Sequence, residues 1–250
     1  MRLRPACLMV ALTLAAGAAQ AEPPDLGLSL DLAPTVIVNP ETGVADPYLG
    51  ATLSGTMSGR LGDGVGYIFS ADAIHERHPL YPSFDLNYLR FSGQLNQATP
   101  LGKLRLKAAN MSVFDGELTG LIYNLTDVSI GIDRSIDLTD DLALRLAFTY
   151  ARRFADVRSL DRYSLNPSVG LSFSVAGLDA YLSASYSYRH FVFRERVDHF
   201  FGAGATLSKT FGDFYVGMSV NYDSSYSSIP ALSAKSFTIG PNFTYNFPID

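Results

Sequence analysis

The chain has 250 residues, of which 47% are hydrophobic, 17% charged and 12% aromatic, and its formal net charge is −5. The charge is too low and the aromatic content too high for a disordered chain, and the acidic balance argues against nucleic acid as a partner. The single cysteine, Cys7, excludes an intramolecular disulfide and a cysteine-based metal site.

Residues 1–21 have the features of a secretory signal peptide. Arg2 and Arg4 precede an apolar run, and Ala19-Gln20-Ala21 supplies small residues at a cleavage position. The apolar run is shorter than the roughly 20 residues of a membrane-spanning helix. We therefore expect residues 1–21 to be removed and residues 22–250 to form one domain.

Alternation with period two runs through residues 22–250. In residues 178–189, Leu, Ala and Tyr alternate with Asp, Ser, Tyr and Arg, and residues 236–247 place Phe, Ile, Pro and Tyr on one parity. Such alternation is typical of a strand with one apolar and one polar face. Twelve predicted strands follow in chain order: 26–38, 47–60, 65–76, 84–96, 101–110, 118–135, 141–153, 162–175, 178–191, 197–209, 213–223 and 235–247.

Two kinds of connection alternate between these strands. Short turns rich in Gly and Asp lie near 63, 101, 140, 177 and 212, and looser links occupy 39–46, 77–83, 111–117, 154–161, 192–196 and 224–234. Short turns at one end and longer loops at the other are typical of outer-membrane barrels. With an even strand number, both termini then lie at the short-turn, periplasmic end.

The composition of the two faces favours a transmembrane barrel over a soluble β-protein. The polar parity is rich in Ser, Thr, Gly, Asn and Tyr, whereas the apolar parity carries Leu, Val, Ala and Phe, with aromatic residues near the strand ends. This suits a wet lumen, a lipid-facing exterior and aromatic girdles. We predict an all-β, closed antiparallel transmembrane β-barrel of about twelve strands, with ten or fourteen as alternatives. The sixth strand is the least regular, because Leu121, Tyr123 and Leu125 occupy its lumen parity.

On this pattern, the chain resembles small porin-like β-barrel proteins of the Gram-negative outer membrane. The resemblance covers residues 22–250 and includes the last strand, where Phe243, Tyr245 and Phe247 alternate as in strands that the barrel-assembly machinery recognises; the final residues 248–250 depart from the family's terminal aromatic. A weaker likeness links the Arg194-x-Arg196-x-Asp198 segment to the barrel of surface-lipoprotein assembly modifiers. The resemblance implies outer-membrane localisation.

Parity predicts which charges face the lumen. The candidate lumen-lining residues are Arg90, Lys103, Arg105, Lys107, Asp127, Asp133, Arg145 and Arg189. A basic stripe on the fourth, fifth and seventh strands would attract anions. Alternatively, these cations pair with Asp127 and Asp133, which brace the barrel and leave little net field. Gly170, Ser172, Ser183, Ser185, Gly202 and Gly204 leave space inside the later strands.

The external rim is predicted to be basic. Its candidate residues are Arg153, Arg162, Arg194, Arg196, His190 and His199. Arginine makes charge-assisted hydrogen bonds to phosphate, so this rim would contact lipopolysaccharide. Collection of a substrate or binding of a receptor ligand is the alternative role of the same residues.

The histidines do not form a recognisable catalytic motif. Outer-membrane lipid hydrolases carry a His-x-Ser pair, but here the second residue after each histidine is Arg77, Leu80, Val192 or Phe201. Outer-membrane surface proteases carry an Asp-x-His pair, whereas Asp198 and His199 are adjacent in this chain. His75-x-x-His78 lacks a third metal ligand. We therefore predict no catalytic residue, no metal and no cofactor.

Three functions are open at this stage. A porin-like channel for passive diffusion of small solutes is the first, a structural or accessory barrel of an envelope export system is the second, and a lipid-modifying hydrolase with residues assembled across strands is the third. The expected partners are outer-membrane lipid and lipopolysaccharide, together with the barrel-assembly machinery through the strand ending at Phe247. Self-association into a homo-oligomer is also open.

Overall fold

The structure is a closed barrel of twelve antiparallel strands, as predicted. It is a computed structural model that describes residues 24–62, 64–193 and 195–249, so the predicted signal peptide lies outside the described residues. Each strand pairs with its neighbours in the chain, and β1 closes the barrel against β12. The strands are β1 (Asp25–Val38), β2 (Ala45–Leu61), β3 (Val65–Arg77), β4 (Leu86–Thr99), β5 (Gly102–Asp115), β6 (Leu121–Thr139), β7 (Leu142–Ala155), β8 (Arg162–Val175), β9 (Leu178–Phe191), β10 (Val197–Phe211), β11 (Phe214–Ser227) and β12 (Ala234–Phe247).

Several predicted strands were too short at the long-loop end. β5 continues to Asp115 and β11 to Ser227, so the predicted links 111–117 and 224–234 were wrong in extent. The sequence turns polar at these positions, which suggested loops. Backbone pairing with the neighbouring strands nevertheless continues, because hydrogen bonding in the ladder does not depend on an apolar face.

Glycine shapes the tight turns at the opposite end. Gly62 and Gly212 have φ of 56° and 58°, a backbone region that residues with a Cβ rarely adopt. Gly102 has φ of 141°, and a Cβ placed there would overlap the backbone oxygen of Asp133 on β6. A side chain at Gly102 would therefore push apart the β4–β5 turn and the start of the β5–β6 ladder.

Three of the long loops share one design. The β3–β4, β7–β8 and β11–β12 loops each contain a single turn of 3-10 helix, at Pro82–Phe84, Arg158–Leu160 and Pro230–Leu232. The residue after each turn accepts a hydrogen bond from a backbone N–H near the end of the preceding strand: Asp85 from His78, Asp161 from Ala155, and Ser233 from Ser227. These bonds fix the loops above the strand ends.

The outer surface is apolar over its middle and aromatic towards its ends. Large side chains that point outward are well exposed, among them Leu53, Phe91, Leu106, Ile130, Phe148 and Leu182. Aromatic pairs lie at both ends, for example Tyr150 with Tyr163 near the loops and Phe214 with Phe243 near the turns. Such an exterior matches the lipid-facing band and interfacial girdles of transmembrane barrels. Within the described residues, no helix is long and apolar enough to cross a membrane.

A bulge explains the irregular sixth strand. Val113 pairs with Tyr123, but the next residue, Phe114, pairs with Leu121, so one residue of β6 is inserted. The insertion moves Leu121 to the outward parity of Phe114, where it is exposed. Leu125 keeps the inward parity and is 2% exposed, packed inside the barrel.

Candidate functional site: the lumen and its external mouth

The ion pair of Asp72 and Arg90 identifies the inner face of the barrel. The two are cross-strand partners on β3 and β4, and Arg90 Nε donates to Asp72 Oδ2 at 2.8 Å. Asp72 is 7% exposed, whereas the next side chain along β4, Phe91, points the other way and is 59% exposed. Charges in barrels face the lumen and large apolar groups face lipid. Cross-strand partners point to the same face of a sheet, so the strand register extends this assignment around the barrel. It places every predicted lumen-lining residue on the inner face: Arg90, Lys103, Arg105, Lys107, Asp127, Asp133, Arg145 and Arg189.

Two further ion pairs continue along the same side of the lumen. Arg105 on β5 donates to Asp133 on β6. Arg153 on β7 donates from Nε and Nη2 to the two carboxylate oxygens of Asp127, at 2.8 and 2.7 Å, which is the strong bidentate arrangement. We call the inner face of β3–β7, with the pairs Asp72–Arg90, Arg105–Asp133 and Arg153–Asp127, the ionic wall.

Three further cations of the predicted basic stripe lie on the same side of the lumen, and two of them, Lys103 and Arg145, are close to the short turns. Lys103, Lys107 and Arg145 form no ion pair with any carboxylate of the described residues. Arg145 lines a cavity of about 360 Å³ together with Asp137 and Asp179. Acidic groups therefore also lie near this end of the lumen, and they oppose the field of these three cations.

The opposite side of the lumen carries many small neutral side chains, and Asp179, Tyr181 and Asp223 also face inward there. We call the inner face of β8–β12 below the loops the hydroxyl wall. Its members are Ser168, Gly170, Ser172, Ser183, Ser185, Gly202, Gly204, Thr206, Ser219, Asn221 and Thr238. The cross-strand pair Ser168 and Ser185 is exposed although it faces inward. Inward residues remain accessible only where the lumen is not filled, so this wall borders open space.

Four arginines converge at the external mouth, the lumen end beneath the long loops. We call them the arginine cluster: Arg153 on β7, Arg162 on β8, Arg189 on β9, and Arg196, which lies in the β9–β10 loop. Arg153 and Arg162 are direct cross-strand partners. Arg162 and Arg196 both lie against the ring of Phe191, at 5.5 and 3.5 Å from its centroid.

Carboxylates neutralise part of this cluster. Asp127 forms an ion pair with Arg153, and Asp198 lies 3.2 Å from Arg196 Nε. Asp198 is the cross-strand partner of Arg189, but its other oxygen accepts the hydroxyl hydrogen of Ser227. No carboxylate of the described residues lies within ion-pair distance of Arg162 or Arg189.

A group of acids, with histidine and tyrosine, occupies the facing part of the mouth. We call Asp46, Glu76 and Asp85 the acidic group. His78 Nδ1 hydrogen-bonds to Asp46 Oδ2 at 2.6 Å, and the backbone N–H of the same histidine donates to Asp85 Oδ1. Tyr88 donates its hydroxyl hydrogen to Glu76 Oε2 at 2.6 Å. Because β2 and β8 are six strands apart in a ring of twelve, this group and the arginine cluster lie across the lumen from each other.

The predicted rim residues separate into inner and outer groups. Arg153, Arg162 and Arg196 lie inside the mouth, His190 and His199 have the outward parity, and Arg194 lies outside the described residues. Arg152, by contrast, has the outward parity; it lies between the rings of Phe154 and Tyr163 at 4.6 and 4.4 Å and is 3.8 Å from Asp161. Strict alternation along β7 assigns Arg152 and Arg153 to opposite faces, in agreement with the structure.

The outward surface also carries a polar network that the sequence pattern did not predict. Asn110 and Ser112 on β5 meet Asn124 and Thr126 on β6. Asn110 Nδ2 donates to Asn124 Oδ1 at 2.9 Å, and Asn124 Nδ2 donates to Ser112 Oγ at 2.7 Å. These mutual bonds satisfy amides that lipid could not satisfy.

Three of the four described histidines are hydrogen-bonded, and none of the three bonds through its ring to a serine. His75 bonds to Asn87, His78 to Asp46, and His199 Nδ1 to the hydroxyl of Tyr186 at 2.6 Å. Among the described residues, no histidine hydrogen-bonds to a serine hydroxyl through its ring, and no group of three His, Cys, Asp or Glu side chains is placed to hold a metal ion.

Fold and surface together define an outer-membrane β-barrel. No protein-family model matches the chain, and no curated protein matches it in sequence. Its fold does match solved structures. An outer-membrane channel from Pseudomonas putida aligns over 89% of this chain and 94% of its own, with 11% identity and a TM-score of 0.53.

Two other solved structures show comparable coverage. LpxR from Salmonella typhimurium aligns over 87% of this chain and 99% of its own, with 10% identity and a TM-score of 0.50. A KdgM porin aligns over 88% and 99%, with 13% identity and a TM-score of 0.49. At these identities, the similarity to the channel and to LpxR supports the fold and leaves the function to be argued from the site.

Proposed function

We propose that the protein is a porin-like channel for passive diffusion of small hydrophilic solutes across the outer membrane. The observation that carries this proposal is the hydroxyl wall, whose inward Ser168 and Ser185 are exposed. Hydroxyl and amide groups along such a wall exchange hydrogen bonds with a passing solute or its water. The Pseudomonas putida barrel that shares this fold is likewise described as a channel.

We expect a modest ion preference. The guanidinium groups of Arg90, Arg105 and Arg153 each face a carboxylate in the ionic wall, so the predicted basic stripe is neutralised at Arg90 and Arg105 and keeps three cations without a carboxylate partner among the described residues. Paired charges line the lumen without a strong net field, and the residual selectivity depends on the cations that have no carboxylate partner.

Single-channel recording in a planar bilayer tests the proposal. The protein is purified from membranes, its fold is checked by heat-modifiable migration on a gel, and its current is recorded in symmetric salt and then in a salt gradient. Discrete conductance steps are the expected result. A folded barrel that gives no steps would overturn the channel proposal and would favour an accessory barrel of an export system.

We further propose that the barrel is not a hydrolase. The hydrogen bonds of His75, His78 and His199 to groups other than serine, and the lack of a serine partner for any histidine ring among the described residues, support this, although the fold is shared with LpxR as well as with channels. Incubation with radiolabelled phospholipid and lipid A is expected to release no fatty acid. Release that is lost in His190→Ala or His199→Ala would contradict the proposal.

Two partners fit the outer surface. We propose that Arg152, held between aromatic rings at the long-loop end, contacts lipopolysaccharide phosphate, since arginine there combines charge with interfacial anchoring. The barrel-assembly machinery would receive β12, whose Phe243, Tyr245 and Phe247 share the outward parity. Arg152→Gln should weaken lipopolysaccharide co-purification without changing conductance, and an unchanged lipopolysaccharide content would exclude this contact.

A further inference from the structure

We infer that the arginine cluster is a binding site for a soluble oxyanion, a carboxylate or phosphate group that enters the lumen from the loop side. The inference deepens the proposed channel by naming a solute class, and its role in passage rests on that proposed function. Binding itself depends only on the geometry of Arg153, Arg162, Arg189 and Arg196.

Like charges oppose each other directly in this cluster. Arg153 and Arg162 are cross-strand partners on adjacent strands, and Arg189 is the diagonal neighbour of Arg162 across the β8–β9 pair. Like charges at these positions destabilise a sheet. A local rule of this kind is broken most often where a site is built for a ligand.

The protein also neutralises the cluster incompletely. Four guanidinium groups share two carboxylates, Asp127 and Asp198. Arg189 Nε donates only to the hydroxyl of Ser187, at 3.2 Å, and neither Arg162 nor Arg189 has a described carboxylate within ion-pair distance. An oxyanion between these side chains would accept donors that the protein leaves unused.

Aromatic rings hold the arginines in place. Arg189 Cζ lies 3.6 Å from the centroid of Phe200, and Arg162 and Arg196 lie on Phe191, which is 2% exposed. Stacking fixes the guanidinium plane and leaves its N–H edge available for planar, bidentate recognition of carboxylate or phosphate. The donors are thus preorganised before a ligand arrives.

The position of the cluster selects the source of the ligand. Its four side chains lie on the lumen side or over the inward ring of Phe191, whereas the lipid-facing arginine of this region is Arg152. Lipopolysaccharide phosphates lie outside the barrel wall. A solute that enters the mouth therefore reaches the cluster, and a membrane lipid does not.

Calorimetric titration of the detergent-solubilised barrel with inorganic phosphate tests the site without relying on conduction. We expect saturable heat for the unmodified protein and about tenfold weaker binding for Arg162→Gln/Arg189→Gln, because charge-assisted hydrogen bonds are lost. The matched control is Arg60→Gln/Arg145→Gln, which removes two exposed inward arginines near the short turns. This control should bind phosphate like the unmodified protein.

The outcomes separate the site from the channel. Flat titration of the unmodified barrel, or equal loss in both double variants, overturns the oxyanion site even if the barrel conducts. Saturable binding that the Arg162→Gln/Arg189→Gln variant loses supports the site even if bilayers stay silent, in which case the proposed channel fails alone. Heat-modifiable migration of each variant confirms that the barrel is folded.

Discussion

The two walls of the lumen both contain inward polar groups with partners on a neighbouring strand, but they use side chains of different length. The ionic wall on β3–β7 carries long charged side chains that reach across to one another, as in the bidentate bonds between Arg153 and Asp127. The hydroxyl wall on β8–β12 carries short side chains with short-range bonds, such as the 3.0 Å contact between Thr206 and Ser219. In both of these pairs, the polar groups find partners on the neighbouring strand.

The difference in side-chain length determines what each wall can do. Paired Arg and Asp fill volume on their side and brace adjacent strands, whereas Ser, Thr and Gly leave volume for water and solute. A barrel of twelve strands is wider than the eight-stranded kind that side chains can fill. The asymmetry therefore predicts that the ionic wall contributes more to stability and that the hydroxyl wall contributes more to passage.

The largest effect is expected from filling the hydroxyl wall. Ser168→Phe/Ser185→Phe places two rings at an exposed, inward cross-strand pair, and conductance should fall by roughly twofold or more because the free cross-section shrinks. Single-channel current in symmetric salt is the measurement. Ser168→Ala/Ser185→Ala is the control and should conduct normally. Undiminished current in the Phe variant would mean that solutes do not pass along this wall.

A second variant breaks the ionic wall. In Asp127→Asn, the amide cannot accept both bonds of Arg153, and we expect a loss of about 1 to 2 kcal/mol in the free energy of unfolding, since the pair is partly exposed. The urea midpoint in phospholipid vesicles measures it. The freed guanidinium should also shift the reversal potential towards anion preference. A stability equal to that of the unmodified barrel would show that the pair does not brace β6 and β7.

Sequence alternation was sufficient to predict the fold because every strand obeys the same physical constraint. Lipid outside and water inside impose period two on each spanning segment, and the pattern survives even in β6, where one extra residue opposite Val113 and Phe114 of β5 shifts the register. Strand ends at the loops were harder to predict. Beyond the membrane the outer face need not be apolar, so Ser224 to Ser227 looked like loop although they pair in β11.

The site was only partly predictable. Parity assigned the inward charges, but it could not show that Asp72 forms an ion pair with Arg90, or Asp127 with Arg153, since pairing depends on the register between strands. The arginine cluster was hidden for the same reason. Its members are distant in sequence, so the pattern predicted Arg153, Arg162 and Arg196 as residues of a basic rim but could not show that they meet inside the mouth.

A third test isolates one ionic contact. A double-mutant cycle of Arg105→Gln and Asp133→Asn should give a coupling energy of about 1 kcal/mol, because both side chains are about one third exposed and water screens the pair. Urea unfolding of the four proteins supplies the values. A coupling energy near zero would show that the Arg105–Asp133 pair does not stabilise the barrel, so that within the ionic wall only Asp127–Arg153 and Asp72–Arg90 could do so.

The smallest effect is expected at the matched neutral contact. Thr206→Val/Ser219→Ala removes both hydroxyls of a cross-strand pair in the hydroxyl wall, and replacing both partners leaves no unsatisfied group, so stability should change by less than about 0.5 kcal/mol. Conductance should also stay close to that of the unmodified barrel, since the side chains keep nearly the same volume. If this variant lost as much stability as Asp127→Asn, the hydroxyl wall would brace the barrel as strongly as the ionic wall, and side-chain length would not divide the two roles.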